Sequence, residues 1–365
     1  MVKLLFNRGY WNSPDFISSL CHKKNEMNNQ QQPPPPIQMM QLITGFWTSC
    51  CIYAAAKLNI ADLLNDGPQT ANQLAEAAHC DAASLYRVLR ALSSVGVFSE
   101  NNEHQFQLNP LGSTLKSDVP GSMRAMTIAQ LGDHYNAWGN LVYSIKTGNT
   151  AFDKVEGMSV WKYYETNPDE GVNFMKAMSG VTGAVVMNVL PLYDFSGFET
   201  IVDIGGGNGA MLMAVLNTAP QTKGIVFDEE YVVEETKKVL KEKGFDKRCS
   251  IEAGSFFNFI PKGADAYLMK MILHDWNDDQ CLQILNNCSN VMKPGSKLLV
   301  IEAVIPESND PHPGKFMDIN MLAMTGGKER TEKEFDSLFA NAGLKLSKVI
   351  PTHSPMFSIL EVLKK

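Results

Sequence analysis

The sequence predicts an α/β protein, a doubly wound, mostly parallel sheet in the second half of the chain preceded by a helical region. Three observations carry this. From Thr200 onward, short apolar strands alternate with helical stretches, the pattern of a parallel sheet covered on both faces. The first strand, Ile201-Val202-Asp203-Ile204, hands over to a helix from Ala210 to Leu216 through Gly205-Gly206-Gly207-Asn208-Gly209. Such a turn brings backbone N–H groups and a helix N-terminus up to a ligand, where side chains would block the approach. Before Thr200, apolar residues recur mainly at helical spacing. The expected division is a low-complexity tail over 1–36, a helical domain over 37–190 and the sheet domain over 191–365.

A length of 365 residues suits this division, and 44% apolar with 19% charged residues is an ordinary globular balance. A net charge of −7 and a pI near 5.6 argue against nucleic acid or an anionic membrane as the main partner. Seven cysteines without C-x-x-C spacing indicate neither a disulfide framework nor a zinc site, and reduced thiols in a cytoplasm are expected. No run reaches the ~18 apolar residues of a membrane helix. Residues 1–20 are too broken by Asn7, Arg8, Gly9, Asn12 and Pro14 for a secretory signal.

Taken in order, residues 1–36 end in Asn-Asn-Gln-Gln-Gln-Pro-Pro-Pro-Pro and hold too little apolar surface to offset the entropy of ordering, so a disordered tail is expected. Helical periodicity begins at Ile37 and runs to Leu64. Trp47, Cys51, Ile52 and Tyr53 are too dense there for one buried face, which predicts packing on a second copy. Thr70-x-x-Gln73 is a capping box for a helix to His79. Asp81 caps another helix, with Leu85, Val88, Leu89 and Leu92 on one face. A hairpin over Gly96–Ser99 and His104–Leu108 completes a winged-helix layout. Between Asp66 and Lys116 the cations Arg87, Arg90 and Lys116 are outnumbered by Asp66, Glu76, Asp81, Glu100 and Glu103, so the module lacks the basic stripe that phosphates need. From Pro120 to Leu192 the chain stays mostly helical. His134 in this span reads as a partly exposed structural histidine. Beyond the glycine turn come strands at Gly224–Phe227, Ala264–Met269 and Lys297–Ile305, a helix over Thr331–Ala342 closed by Gly343, and a terminal strand pair.

The glycine turn admits two cofactors. Gly205-x-Gly207-x-x-Ala210 is an acceptable dinucleotide fingerprint, and Asp228 at the tip of the next strand is placed to hold ribose hydroxyls. Read as Asp203-x-Gly205-x-Gly207-x-Gly209, the same turn suits S-adenosylmethionine (AdoMet), because a carboxylate beside it favours an ammonium or sulfonium and is awkward beside a pyrophosphate.

The stretch Leu268-Met269-Lys270-x-x-x-His274-Asp275-Trp276, followed by Cys281-x-x-Ile284-Leu285-x-Asn287-Cys288 and by Gly326-Gly327-Lys328-Glu329-Arg330-Thr331, resembles the plant-type small-molecule O-methyltransferases. That family includes caffeic acid, acetylserotonin and phenazine methyltransferases, and the resemblance spans roughly Ile37 to Leu363. It implies a Rossmann-like class I methyltransferase domain behind a helical dimerisation domain, a homodimer, and AdoMet as cofactor with S-adenosylhomocysteine (SAH) as product. It further implies His274 as general base with Glu302 and Glu329 beside it. The cofactor would be held by Asp203, Gly205, Gly207, Asp228, Ser255, Phe256, Lys270 and Asp275. Ser255 replaces the family's usual Asp on the adenine side. Phe174, Met178, Met271, Asp318 and Met321 would wall the acceptor pocket, Met271 standing where plant members often have Trp.

The chemistry needs alignment and a deprotonated acceptor. A phenol near pKa 10 and an imidazole near 6.5 differ by about 3.5 units, and an acid partner beside His274 reduces that gap. Asp275, Asp278 and Asp279 read as helix capping and solvation, so no metal is expected. The expected function is AdoMet-dependent methylation of a hydroxyl, phenolic by preference, on a small aromatic molecule of secondary metabolism. The alternatives are a nitrogen acceptor or diverged chemistry and, from another class, an AdoMet-binding winged-helix regulator.

Overall fold

The computed structural model describes residues 33–117 and 119–365. The expected tail lies outside these residues as far as residue 32. Two units are distinguished, one ending at Cys50 and one running from Cys51 to Lys365.

Helix α1, Pro35–Lys57, supplies the described part of the first unit. It begins two residues before the expected Ile37, because prolines are tolerated in a first turn whose N–H groups have no partner anyway. Leu42 is 77% exposed and Trp47 62%, and Ile37, Met39, Met40, Ile43 and Phe46 are exposed with them.

The second unit continues with α2 (Ile60–Leu63), β1 (Gln69–Thr70), α3 (Ala71–Ala77), α4 (Ala82–Ser94), β2 (Ser99–Glu100) and β3 (Gln105–Gln107). Both helix starts follow the expected caps: Thr70 and Gln73 form a capping box, and Asp81 accepts from the N–H of Ser84. The strands pair antiparallel in the order β1-β3-β2 over a core of Leu74, Leu85, Leu89, Leu92, Phe98 and Phe106. A run of helices follows: α5 (Arg124–Leu131), α6 (Asp133–Trp138), α7 (Leu141–Thr147), α8 (Ala151–Glu156), α9 (Val160–Thr166) and α10 (Pro168–Val189). The stretch Pro168–Leu192 is long and apolar enough by composition to cross a membrane, contrary to the sequence expectation. Val185 and Val189 on it are nevertheless fully buried in a core shared with the large sheet.

That sheet is built from β4 (Thr200–Ile204), β5 (Lys223–Asp228), β6 (Cys249–Ala253), β7 (Ala266–Lys270), β8 (Lys297–Glu302), β9 (Leu344–Pro351) and β10 (Ser358–Lys364), in the order β6-β5-β4-β7-β8-β10-β9. The first five are parallel, and β10 runs antiparallel to both neighbours. Helices α11 (Ala210–Thr218), α12 (Glu230–Glu242), α13 (Asp278–Val291), α14 (Gly314–Met324) and α15 (Glu332–Asn341) complete the domain. Apolar clusters on the two faces, around Tyr267 and Phe339 and around Leu268 and Leu212, account for strands that read as continuous hydrophobic runs.

Candidate active site

Strand order reverses between β4 and β7. In a sheet of this kind the crevice outside the carboxyl ends at that point is where ligands sit, and the predicted side chains gather around it.

At the end of β4, Gly205, Gly207 and Gly209 all adopt positive φ, 68°, 56° and 75°, a region in which a side chain is strained. A Cβ at Gly205 would overlap Ile272, whereas nothing lies within 4 Å of one at Gly207, so the turn is pinned on one side and open on the other. Asp228 shapes it: Oδ2 accepts the N–H of Gly207 and Oδ1 that of Glu229, both at 2.8 Å. Each oxygen keeps a lone pair for a further donor such as a ribose hydroxyl. Asp203 lies buried under the turn, and its Oδ2 has no partner. Burial pushes its carboxyl up to about 7, with Lys270 opposing and Asp228 adding to the rise. An orphaned carboxylate oxygen beside an open glycine cradle fits a cationic group on a nucleoside cofactor. After β6, Ser255 and Phe256 form the next wall. Asn287 Nδ2 anchors it by donating to the carbonyls of Phe256 at 3.0 Å and Phe257 at 2.9 Å.

The turn after β7 carries His274. Lys270 ends the strand, and Met271 sits at φ 54°, a left-handed conformation unusual for a side-chain-bearing residue. Glu302 Oε1 then accepts the N–H groups of both Ile272 and Leu273 at 2.9 Å. This holds the short 3-10 turn Leu273–Asp275 in place. His274 in that turn is buried, its Nδ1 2.8 Å from Glu329 Oε1 and 3.8 Å from Glu302 Oε2, and its Nε2 3.7 Å from Asp275 Oδ1. Burial alone lowers its pKa, but Glu302, Asp275 and Glu329 outweigh burial and push it up to about 10. Burial conversely raises the carboxyls, Asp275 to about 6, with His274 opposing, and Glu302 in the same direction. With Nδ1–H directed at Glu329, the Nε2 lone pair is the one that remains to accept a proton.

Glu329 arrives on the turn between α14 and α15. A Cβ at Gly327 would overlap the carbonyl of His274, so glycine lets the two turns lie back to back. Asp318 Oδ1 accepts the N–H of Glu329 at 2.9 Å and steadies it. Arg330 is wholly buried, and its guanidinium donates to the carbonyls of Leu273 at 2.9 Å and Trp276 at 3.0 Å and to Asp278 Oδ1 at 2.8 Å. It holds carbonyls of the turn whose N–H groups Glu302 holds. Arg330→Met is expected to destabilise the protein by about 3–5 kcal/mol, since it strands buried carbonyls and breaks an ion pair. A urea midpoint equal to that of the parent protein would refute this role.

The helical wall begins at Trp276, which stacks on Trp161 at 5.9 Å. Trp161 meets Phe174 edge-on at 6.2 Å, and Phe174 stacks on Tyr164 at 4.6 Å. Met178 is half-buried one residue before Ser179, whose Oγ accepts from Asn208 Nδ2 of the glycine turn at 2.7 Å. Met321 is buried in α14.

Several expectations need correction. His134 is buried rather than partly exposed, because α6 packs into the helical layer. Glu329, by contrast, lies beside His274 as expected. Asp318 gives one carboxylate oxygen to the backbone N–H of Glu329, and Met271 packs partly against the core of the sheet. Asn277, with Gln280, caps α13 in place of the aspartates; Asp275 is buried beside His274 and Asp278 pairs with Arg330 and Lys328. Ligand atoms of His274, Glu302 and Glu329 lie within 4.8 Å of one another, near enough to ring a cation that the sequence reading did not foresee. Hydrogen bonds already engage His274 Nδ1, Glu329 Oε1 and Glu302 Oε1. Arg330 and Asn208 were missed; the buriable charge directly after Glu329 was the one available signal for the first.

Comparison with known proteins gives two family matches, an O-methyltransferase dimerisation domain over residues 40–118 and an O-methyltransferase domain over residues 138–345. The phenazine O-methyltransferase PhzM of Lysobacter antibioticus is 41% identical over 323 residues, 88% of this chain and 94% of that protein. The crystal structure of LaPhzM superposes with a TM-score of 0.89 at 40% identity, covering 91% of this chain and 100% of that one. The methyltransferase NcsB1 of neocarzinostatin biosynthesis, solved with SAH and 1,4-dihydroxy-2-naphthoic acid, superposes with a TM-score of 0.77 at 32% identity, covering 87% and 96%.

Proposed function

We propose, since this chain belongs to the AdoMet-dependent O-methyltransferase family, that His274 removes the proton from a hydroxyl of a small aromatic acceptor as that oxygen is methylated. The protein is an AdoMet-dependent O-methyltransferase; the base, the acceptor and the site residues are the proposed part. The observation that carries the reading is His274 itself, buried among three carboxylates beside the switch point of the sheet.

AdoMet, when bound, supplies a methyl group on a sulfonium whose departure leaves a neutral thioether. Asp228 would hold its ribose, Ser255 and Phe256 its adenine, with Gly205 and Gly207 admitting it closely. Asp203, Lys270 and Asp275 would set the charge around its amino-acid end. His274 accepts the acceptor's proton at Nε2. Glu329 keeps the opposite proton on Nδ1, and Glu302 and Asp275 stabilise the imidazolium so formed. With the imidazolium held near the pKa of a free phenol, the transfer becomes nearly balanced rather than about 5 kcal/mol uphill. Phe174, Met178, Met271, Asp318 and Met321 contribute the acceptor side. The test is incubation with AdoMet and a panel of phenols, read by mass spectrometry. Transfer confined to amines, or to no member of the panel, would overturn the reading.

The tail, helical and sheet divisions at residues 36 and 190 belong to the same proposal, as does a reducing cytoplasmic setting, supported by six unpaired thiols among the described residues. So does a homodimer, supported by the matched dimerisation domain and by the exposed apolar residues of α1. Light scattering should find two chains per particle, joined over more than the ~2,000 Å² of an obligate interface; a monomer at micromolar concentration contradicts this.

A further inference from the structure

Outside the His274 cluster, one buried polar pair in the helical layer is incompletely bonded. His134 Nε2 lies 3.1 Å from the Tyr164 hydroxyl, while His134 Nδ1 is buried without a partner. A phenol is a stronger donor than acceptor and an imidazole nitrogen a strong acceptor, so Tyr164 donates to Nε2 and the ring proton sits on Nδ1. The pair is uncharged: burial lowers the His134 pKa to about 4 and raises that of Tyr164. An imidazole kept only for packing would be better replaced by phenylalanine, because a buried N–H without an acceptor is costly.

Position supplies the reason for keeping it. Tyr164 stacks on Phe174, Phe174 meets Trp161, and Trp161 stacks on Trp276, the residue after His274-Asp275. The charge of Asp275 is felt at the Tyr164 hydroxyl. The pair thus closes the far end of an aromatic wall that starts at the reactive turn. One helical turn beyond His134, Trp138 Nε1 donates to Asn320 Oδ1 of α14 at 2.8 Å, which fixes α6 against the element that steadies Glu329.

We propose that His134, oriented by Tyr164, is a second recognition point for the acceptor, its Nδ1–H binding an uncharged hydrogen-bond acceptor, a ring nitrogen or carbonyl oxygen, set in the aromatic framework away from the methylated hydroxyl. An anionic substituent is disfavoured there, since Asp133, Glu170 and Asp275 all act on the same hydroxyl. The inference rests on the methyltransferase reading and specifies its substrate class.

The test uses the full chain with SAH and two isosteric probes, 2-hydroxyphenazine and 2-hydroxyanthracene, which differ by two ring nitrogens. Fluorescence titration should show the phenazine binding about tenfold more tightly, one hydrogen bond's worth. His134→Phe should abolish that preference while leaving the anthracene within about twofold and SAH affinity unchanged, and Tyr164→Phe should reduce it. Equal affinity of the two probes for the parent protein, or equal weakening of both by His134→Phe, overturns the proposal. Should His134→Phe fail to fold, the parent preference and Tyr164→Phe decide. Turnover on the same probes is scored separately. A binding preference without methyl transfer would sink the base assignment and leave this site standing.

Discussion

His274→Ala is expected to lower turnover by about 10²–10⁴-fold at neutral pH while AdoMet still binds. Nε2 is the only nitrogen of the cluster free to take a proton, and alanine leaves no substitute. The pH dependence follows from the same geometry. The surrounding carboxylates raise the folded pKa of His274 from 6.5 to about 10. Its stabilising charge is therefore fully present below about 6.5 and is lost as pH rises through about 10. Over that window the neutral, proton-accepting form grows roughly tenfold per pH unit, so kcat/KM of the parent enzyme should climb with pH. The deficit of His274→Ala should stay roughly constant below about pH 10, where neutral imidazole and phenolate grow in step, and shrink above it as the phenol ionises by itself. Glu302→Gln should cost less than Glu302→Ala, because an amide oxygen can still accept the N–H groups of Ile272 and Leu273. Near-full turnover of His274→Ala at pH 7, or a parent profile that falls with pH, would remove the base from the mechanism.

The second large effect is expected at Asp228. With Asp228 holding the ribose as proposed, Asp228→Ala would remove two charge-assisted hydrogen bonds, roughly 1.5–3 kcal/mol each, and should weaken AdoMet by about 10²-fold or more. It also releases the N–H of Gly207, so the open side of the glycine turn loses its tether. Asp228→Asn, which keeps one acceptor oxygen, should fall between. Unchanged AdoMet affinity by calorimetry in the alanine variant would break the link between β5 and the cofactor.

What could be read from sequence divides by range. The glycine turn, the strand ahead of it, Asp228 and the caps at Thr70 and Asp81 follow from residues close to one another in the chain, and each is where spacing puts it. His274 was legible because a strand end in an open sheet is already a location. The carboxylates that surround it come from 28 residues further on, at Glu302, and 55 further on, at Glu329, and only resemblance to a family could associate them. Arg330 stood within the family motif, but its role was not legible. Its partners lie 52 to 57 residues earlier, and two of them, Leu273 and Trp276, use backbone carbonyls, which carry no sequence signal, while the third is the Asp278 carboxylate. His134 was misjudged for the same reason: burial of a lone histidine depends on which helices cover it. Asn277 displaced the aspartates as a cap because the box needs the glutamine three residues on, a pattern the acidic run obscured.

The hydrogen bond between Asn208 and Ser179 bears on how such an enzyme can be re-engineered. Ser179 belongs to the same helix as Phe174 and Met178, and Asn208 to the glycine turn. In the site proposed here, donor grip and acceptor shape are therefore not independent modules. A graft of residues 168–189 from a relative, made to change which molecule is methylated, transplants one end of a bolt whose other end stays behind. Chimeras that keep a hydroxyl at 179 opposite an amide at 208 retain the fastening, and those that do not begin with a loosened donor loop, whatever their new pocket accepts.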